Sequence, residues 1–194
     1  MGSRSAGTLS DQIRSALDPP EASLDTEVRG ATKAAVLVPL YLDECELHAV
    51  FTKRRQDLRR HPGEISFPGG RQDDRDADLI HTAEREAHEE IGLPPDAVEI
   101  LGSLRPTPTI ATGYAVYPFV GLIEPGREWT LSAREVEQVL ELPLCELIQG
   151  YGRRLIVRRG IPFRTDTYLV DEQLIWGATA RILSDLLERI GPII

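Results

Sequence analysis

The chain has 194 residues, of which 41% are apolar and 27% charged, and its formal net charge is −9. These values predict one soluble globular domain with a short extension and a hydrophobic core. The negative charge argues against a broad nucleic-acid-binding face, because such a face needs clustered basic residues. No apolar run is long enough to suggest a signal peptide or a membrane span. Cys45 and Cys145 are the only cysteines and form no CxxC pair, so we expect a reducing, cytoplasmic location.

The first third of the chain predicts an N-terminal extension followed by a β-hairpin. We assign residues 1–30 to the extension, with disorder over 1–7 and a short helix over 10–17. The nearly continuous apolar run at 34–42 predicts a buried strand. The alternating segment 46–54 predicts its antiparallel partner after a short turn.

The remaining segments mix strands and helices irregularly. Strands are predicted over 63–67, 98–104, 116–123, 155–158 and 168–170, the last two as a hairpin. Helices are predicted over 76–91, 134–140 and 178–190. We therefore expect residues 31–194 to form one domain of the α/β or α+β class, rather than a doubly wound parallel sheet.

Basic residues concentrate in one segment of this acidic chain. Residues 53–60 contain five of them, namely Lys53, Arg54, Arg55, Arg59 and Arg60. The turn Pro68-Gly69-Gly70 follows shortly afterwards, and its glycines permit backbone conformations that other residues avoid. The guanidinium group of arginine binds phosphate oxygens with two parallel hydrogen bonds. The segment therefore indicates a local site for an anion.

The helix predicted after this turn places two glutamates beside its apolar stripe. On a helical wheel of about 100° per residue, Glu90 falls inside the apolar arc and Glu86 lies at its edge. Glu89 and Arg85 lie farther round the helix. Ionised carboxylates near a buried surface need a cationic partner, and oxygen ligands alone favour Mg²⁺ or Mn²⁺.

A helix of this composition also has a simpler interpretation. It could be a solvated acidic helix whose glutamates pair with Arg85 or His88, since such pairs are common on helix surfaces. The wheel alone does not separate this interpretation from a metal site.

The helix carries a wider motif. The run Arg85-Glu86-Ala87-His88-Glu89-Glu90-Ile91-Gly92-Leu93 matches REUxEExGU, in which U is an aliphatic residue. This is the core of the Nudix box, so the chain resembles the Nudix hydrolases, which cleave nucleoside diphosphates linked to another moiety. The full pattern Gx5Ex7REUxEExGU would place glycine at 71 and glutamate at 77, where Arg71 and Ala77 stand. Counting from Gly70 instead puts Asp76 at the acidic position.

The upstream segment resembles the coenzyme A diphosphatase branch of that family. Its signature LLTxR(S/A)x3Rx3Gx3FPGG is matched at Thr52, Arg54, Arg59, Gly63 and residues 67–70. Val50-Phe51 replaces the two leucines, and Arg55 stands where serine or alanine is usual. Residues 176–181 are also similar to a segment of these proteins. The resemblance implies a Nudix fold, a mixed β-sheet sandwiched between helices.

The resemblance also implies roles for the residues of the box. Glu86, Glu89 and Glu90 would bind Mg²⁺ or Mn²⁺, and Arg85, Glu86 and Glu89 would form the catalytic group, with Arg85 orienting the glutamates. The water would be deprotonated by Glu86 or by an acid of a distant loop such as Glu135 or Glu137.

Upstream of the box, the resemblance implies substrate contacts. Arg54 and Arg59 would bind the phosphates of coenzyme A, and Gly69 and Gly70 would shape the turn that meets its diphosphate. Lys53, Arg55 and Arg60 are read as solvated residues, and His61 as neither base nor ligand. The products would be 4′-phosphopantetheine and adenosine 3′,5′-bisphosphate.

Three other functions are compatible with the box. The same chemistry on ADP-ribose or NADH would use the same glutamates. A non-catalytic nucleotide-binding domain would be expected to have lost some of them, whereas Glu86, Glu89 and Glu90 are all present. An mRNA-decapping role would need a broad RNA-binding face, which the acidic composition disfavours.

Overall fold

The computed structural model describes residues 6–24, 26, 28, 32–58, 61–109, 113–158 and 160–194. Its helices are α1 (Ala6–Ala16), α2 (Pro20–Leu24), α3 (Leu79–Ile91), α4 (Leu144–Gly150) and α5 (Gly177–Ile190). Its strands are β1 (Thr32–Asp43), β2 (Glu46–Arg54), β3 (Ile65–Ser66), β4 (Gly69–Arg71), β5 (Glu99–Ser103), β6 (Thr107–Pro108), β7 (Tyr114–Leu122), β8 (Val136–Pro143), β9 (Tyr151–Arg158), β10 (Ile161–Val170) and β11 (Gln173–Trp176). No helix in the described ranges is both long enough and apolar enough to cross a lipid bilayer.

The first eight strands form one mixed sheet in the order β3-β2-β1-β7-β5, with β4 paired to β1, β6 to β7 and β8 to β2. Strands β1 and β7 are parallel, whereas the other pairs in this sheet are antiparallel. A separate antiparallel sheet contains β11, β10 and β9 in that order. The expected mixed sheet of an α/β protein is therefore confirmed.

Strand β1 is apolar along most of its length because both of its faces are covered. Ala35 and Leu37 pack with the buried residues of α3, whereas Val38 and Leu40 pack in a second core with residues of α1 and α5. Alternate side chains of a strand point to opposite faces of the sheet, so helices lie on both sides of it. This burial on two faces explains the continuous apolar run.

Helix α3 is fixed at both ends. Asp78 caps its start by accepting a hydrogen bond of 2.9 Å from the backbone N–H of His81, which satisfies one of the free amides there. Gly92 ends the helix with a φ of 70°, a left-handed conformation that favours glycine. The predicted end at Ile91 is confirmed, but the helix begins at Leu79, three residues later than predicted, so Asp76 lies in the preceding loop.

The prediction of a helix over 134–140 is wrong. These residues enter β8, which pairs with β2 from His48 to Arg54. The spacing of Val136, Val139 and Leu140 fits one helical turn, but β-branched valines favour strands. Hydrogen bonding to the free side of β2 decides the outcome in favour of the strand.

The other predictions hold with shifted limits. The first hairpin matches β1 and β2, and the late hairpin is longer than predicted, since it comprises the whole of β9 and β10. The N-terminal helix begins at Ala6 rather than residue 10, and its Ile13 is fully buried. Residues 6 and 7, which were predicted to be disordered, belong to α1 instead. Residues 1–5, the rest of the predicted disordered segment, and the predicted domain boundary near residue 30 lie outside the described residues.

Candidate active site

Two glutamates of α3, Glu86 and Glu90, lie under the glycine turn. Glu90 is 5% exposed, and one of its carboxylate oxygens accepts a hydrogen bond of 3.3 Å from the backbone N–H of Gly69. A Cβ atom on Gly70 would lie on the carboxyl group of Glu86. The turn therefore needs glycine at position 70 because the Glu86 carboxylate occupies the space of a side chain.

The burial of these two carboxylates changes their acidity. Desolvation, followed by repulsion from the Glu86 carboxylate, raises the pKa of Glu90 to about 8. Desolvation also raises the pKa of Glu86, while its hydrogen bond from Arg85 opposes the rise. A buried pair of carboxylates binds a proton or a cation more readily than an exposed pair does. A cation bound between these carboxyl groups would favour the ionised form of both.

Arg85 holds the carboxylates of its own helix. Its Nη1 atom donates to Glu86 at 2.9 Å and to Glu89 at 3.3 Å, while Nη2 donates to the backbone carbonyl of Arg71 at 3.2 Å. The side chain of Glu89 is 59% exposed, so it borders the pocket on its solvent side. The pairing of glutamates with Arg85 that a solvated helix would show is therefore present, but it coexists with the buried Glu90.

Asp76 anchors Arg85 from the loop before the helix. Its carboxylate accepts hydrogen bonds from Nε and Nη2 of Arg85 at 2.8 and 3.0 Å. It also accepts hydrogen bonds from the Thr82 hydroxyl and the Asp73 backbone N–H, both at 2.9 Å. The Arg85 hydrogen bond holds the pKa of Asp76 well below its usual range. The acidic residue that departs from the Nudix spacing thus forms a two-point ion pair with the arginine of the motif.

Arg54 closes the pocket on the side of β2. Its guanidinium lies 3.9 Å from the Glu90 carboxylate and 3.7 Å from that of Glu135. Arg54 therefore contacts both the Glu90 and the Glu135 carboxylates, and the negative charge of Glu135 contributes to the raised pKa of Glu86 and of Glu90. Glu137, the alternative base considered from the sequence, is exposed on β8.

The position of Glu135 depends on contacts with α3 and β2. The backbone N–H of Ser132 donates to the Glu90 carbonyl at 2.9 Å, and that of Arg55 donates to the Glu135 carbonyl at 3.1 Å. The Arg55 side chain also donates to the carbonyl of Ala133 at 2.7 Å. Arg55, read from the sequence as a solvated residue, therefore fastens the segment that carries Glu135.

The carboxylates suit a hard divalent cation in their chemistry. Mg²⁺ and Mn²⁺ prefer oxygen ligands, and the predicted ligands Glu86, Glu89 and Glu90 supply only oxygens. Within the described ranges, however, no three His, Cys, Asp or Glu side chains converge closely enough to form a ligand set by themselves. Glu86, Glu89 and Glu90 would therefore hold such a cation together with oxygens of water or substrate.

The structure brings some of the other predicted site residues to the glutamates but does not describe all of them. Arg54, Gly69 and Gly70 come together with the glutamates, but the two glycines contact Glu90 and Glu86, and their contact with a substrate stays a prediction. Arg59 and Arg60 lie outside the described residues. The sequence interpretation missed the roles of Asp76 and Arg55, and the acidic residue counted from Gly70 was the only signal for the first.

The chain is similar in sequence to a known family and to known proteins. The family model of the NUDIX domain matches residues 31–151. The Nudix hydrolase NudL of Enterobacter sp. (strain 638) is 41% identical over 170 residues, which cover 87% of this chain and 88% of that protein. The NudL protein of Salmonella paratyphi B is 40% identical over 167 residues, covering 85% and 86% of the two chains.

Solved structures share the fold at low sequence identity. A MutT/nudix family protein from Enterococcus faecalis is 14% identical with a TM-score of 0.54, and the match covers 98% of this chain and 76% of that one. An Ap4A hydrolase from C. elegans is 19% identical with a TM-score of 0.51, covering 61% and 84%. At these identities the likeness concerns the fold alone.

Proposed function

Because the chain belongs to the Nudix hydrolases, a family of pyrophosphohydrolases, we propose that it hydrolyses the diphosphate bond of coenzyme A or its derivatives. The observation that carries the reaction class is the Glu90 side chain, which is 5% exposed and lies under the glycine turn beside Arg54. The coenzyme A assignment rests on the signature residues before the box. One of them, Arg54, lies against this carboxylate cluster.

The proposed reaction needs a divalent metal ion, which the glutamates of α3 would bind. Glu86 and Glu90 would hold Mg²⁺ or Mn²⁺, with Glu89 on the solvent side, and the ion would neutralise phosphate charge and activate water. Arg85 keeps the carboxylates of Glu86 and Glu89 in place through its hydrogen bonds. Asp76 in turn fixes the guanidinium of Arg85.

Glu135 is the best-placed base for the attacking water. Its side chain is 52% exposed, so water reaches it, and its carboxylate lies 3.7 Å from Arg54, which also contacts Glu90. Glu86 is occupied by its hydrogen bond with Arg85, and Glu137 lies away on the exposed side of β8. A general base must lie within reach of the water whose proton it accepts, and the exposed Glu135 side chain meets this condition. Arg54 would bind a phosphate oxygen of the substrate between Glu90 and Glu135.

A substrate panel tests the proposal directly. Coenzyme A, ADP-ribose and NADH would be incubated with the protein and Mg²⁺ or Mn²⁺, and the products separated by chromatography. We expect coenzyme A to give the highest kcat/KM, with adenosine 3′,5′-bisphosphate and 4′-phosphopantetheine as products. Faster turnover of ADP-ribose or NADH would reject coenzyme A while keeping the reaction class.

A pair of variants on one helix tests the role of the buried carboxylate. Glu90→Gln should lower kcat on the order of 1,000-fold, because a metal ligand contributes several kcal/mol of transition-state stabilisation. Glu84→Gln, on the same helix but outside the cluster, should keep wild-type activity. Chelation by EDTA should stop turnover in the wild type. Full activity of Glu90→Gln would remove Glu90 from the site.

The predicted location in the cytoplasm belongs to the same proposal. A cytoplasmic location agrees with the two cysteines, since Cys45 and Cys145 are free and exposed thiols. Such thiols are typical of proteins in a reducing compartment.

A further inference from the structure

The small sheet carries an exposed surface that the site described above does not use. In β9 and β10, Ile156 lies opposite Phe163 and Arg158 opposite Ile161. Residues opposite each other in an antiparallel pair share a face, so these four side chains are on one side of the sheet. We call this side, together with Trp176 of β11, the aromatic face. Phe163 is 36% exposed and Ile161 67%, so much of its apolar area is open to solvent.

Aromatic rings and an arginine are grouped on this face. The Phe163 and Trp176 rings lie 6.3 Å apart, with an angle of 51° between their planes. The guanidinium carbon of Arg158 lies 5.3 Å from the centre of the Trp176 ring, within the range of a cation–π contact. Asp166 alternates onto the opposite side, where it approaches Arg153. Within the described part of the three strands, the aromatic face therefore carries arginine but no carboxylate.

The aromatic face adjoins the candidate active site through one ion pair. The Nη2 atom of Arg158 lies 3.5 Å from the Glu64 carboxylate and 3.1 Å from Nδ1 of His61. Glu64 lies opposite Arg54, whose backbone N–H donates to its carbonyl at 3.0 Å. Arg54 contacts Glu90 of the carboxylate cluster. Glu64 and Arg54, which are neighbours through this hydrogen bond, therefore connect the aromatic face with the carboxylate cluster.

We infer that the aromatic face binds the nucleoside end of the substrate. This inference rests on the proposed function, because it assigns a position to the part of a nucleoside diphosphate derivative that does not react. A planar base stacks on aromatic rings through its π-face, and arginine adds cation–π and phosphate contacts. Phe163 and Trp176 supply the rings, and Arg158 supplies the charge on the side nearest Arg54.

The pantetheine end, a flexible chain with two amide groups and no ring, fits this surface less well. It has no π-face to stack on Phe163 or Trp176, whereas a nucleotide can stack its base on a ring and offer a phosphate to the guanidinium of Arg158. The opposite side of the same hairpin provides an internal comparison, because Leu155 and Arg164 are cross-strand partners there. That pair offers an aliphatic and a basic side chain but no aromatic ring, and the tyrosines of this side, Tyr151 and Tyr168, pair at the other end of the hairpin.

Fluorescence quenching tests the assignment without turnover. Trp129→Phe leaves Trp176 as the only tryptophan. In that background, adenosine 3′,5′-bisphosphate should quench the emission with a measurable Kd. Phe163→Ala and Arg158→Ala should each raise this Kd about tenfold, in line with the usual effect of removing a stacking ring or its cation. Leu155→Ala and Arg164→Ala, on the opposite side, should leave the Kd unchanged.

A second variant separates loss of stacking from loss of folding. Phe163→Tyr keeps an aromatic ring and should restore most of the affinity that Phe163→Ala loses. Equal Kd values for all four alanine variants would overturn the assignment, as would quenching by pantetheine and not by the nucleotide.

Turnover of the same variants distinguishes this inference from the proposed function. If coenzyme A is hydrolysed but Phe163 and Arg158 do not affect KM or nucleotide binding, the aromatic face is rejected and the function stands. If nucleotide binding depends on Phe163 and Arg158 but no diphosphate in the panel is hydrolysed, the function is rejected and the binding face stands.

Discussion

The ion pair between Asp76 and Arg85 gives the sharpest test of how the active site is held. The substitution Asp76→Asn keeps the size of the side chain but removes its charge. One oxygen of Asp76 accepts three hydrogen bonds, from Arg85, Thr82 and Asp73, and the other accepts only from Nε of Arg85. We expect the asparagine oxygen to take the position with three donors, which leaves its amide group facing Nε of Arg85.

The cost of this change follows from the number of bonds lost. One charge-assisted hydrogen bond and the ionic attraction disappear, while three hydrogen bonds to a neutral oxygen remain. Hydrogen bonds to charged groups contribute about 1.5–3 kcal/mol, and the Asp76 side chain is only 5% exposed. Arg85 keeps Glu86 and Glu89 as partners, so we expect a loss of about 2 kcal/mol in the free energy of unfolding, within that range.

The effect on catalysis should appear in kcat rather than in KM. Arg85 positions the Glu86 carboxylate, and loss of such a supporting contact lowers activity about 10–100-fold. Asp185→Asn is a matched control, since Asp185 accepts hydrogen bonds from Arg105 and Arg189 near α5, away from the site. It should lower stability while leaving kcat unchanged.

Urea unfolding and steady-state kinetics would measure both effects. Because the folded-state pKa of Asp76 is depressed, its contribution to stability should be complete above its unfolded pKa of about 3.9 and fade below that pH. The stability difference between the wild type and Asp76→Asn should therefore be constant from neutral pH to about pH 5 and then narrow on acidification. If Asp76→Asn lost stability but kept the kcat of the wild type, Asp76 would be a structural residue only.

Two further substitutions test the surroundings of the carboxylates. Gly70→Ala should lower kcat on the order of 100-fold, because its Cβ would displace the Glu86 carboxylate and misplaced reacting groups cost about that factor; a fully active variant would show that Glu86 need not occupy this position. Arg55→Ala should lower kcat about tenfold, since the segment that carries Glu135 loses an anchor at the Ala133 carbonyl. Lys53→Ala, the neighbouring control, should have wild-type kinetics, and equal kinetics of both variants would remove Arg55 from the positioning of Glu135.

The position of the α3 glutamates was predictable from the sequence because a helix has a fixed period. The wheel puts Glu90 within the apolar arc and Glu86 at its edge, and the structure gives Glu90 as buried and Glu86 as partly buried. The end of α3 at Gly92 was equally predictable, since a glycine directly after an amphipathic segment usually ends a helix. Both predictions need only neighbours along the chain.

The error at 134–140 has the opposite origin. Within that segment the apolar spacing fits a helix, and nothing local reveals that β2 offers a free edge for pairing. The same pairing brings Glu135 to Arg54, a residue of β2 that lies far earlier in the chain. The role of Arg55 was missed for the same reason, because its partner carbonyl at Ala133 is 78 residues away.

The sequence by itself determined the class of the protein, the helix that carries the carboxylates and the glycine turn before it, because each depends on local spacing. The tertiary structure decided which groups meet that helix: Asp76 on Arg85, Glu135 and Arg54 beside Glu90, and Arg158 beside Glu64. These contacts arise from strand pairing and loop closure between distant segments, and their energies depend on burial that no short stretch of sequence specifies.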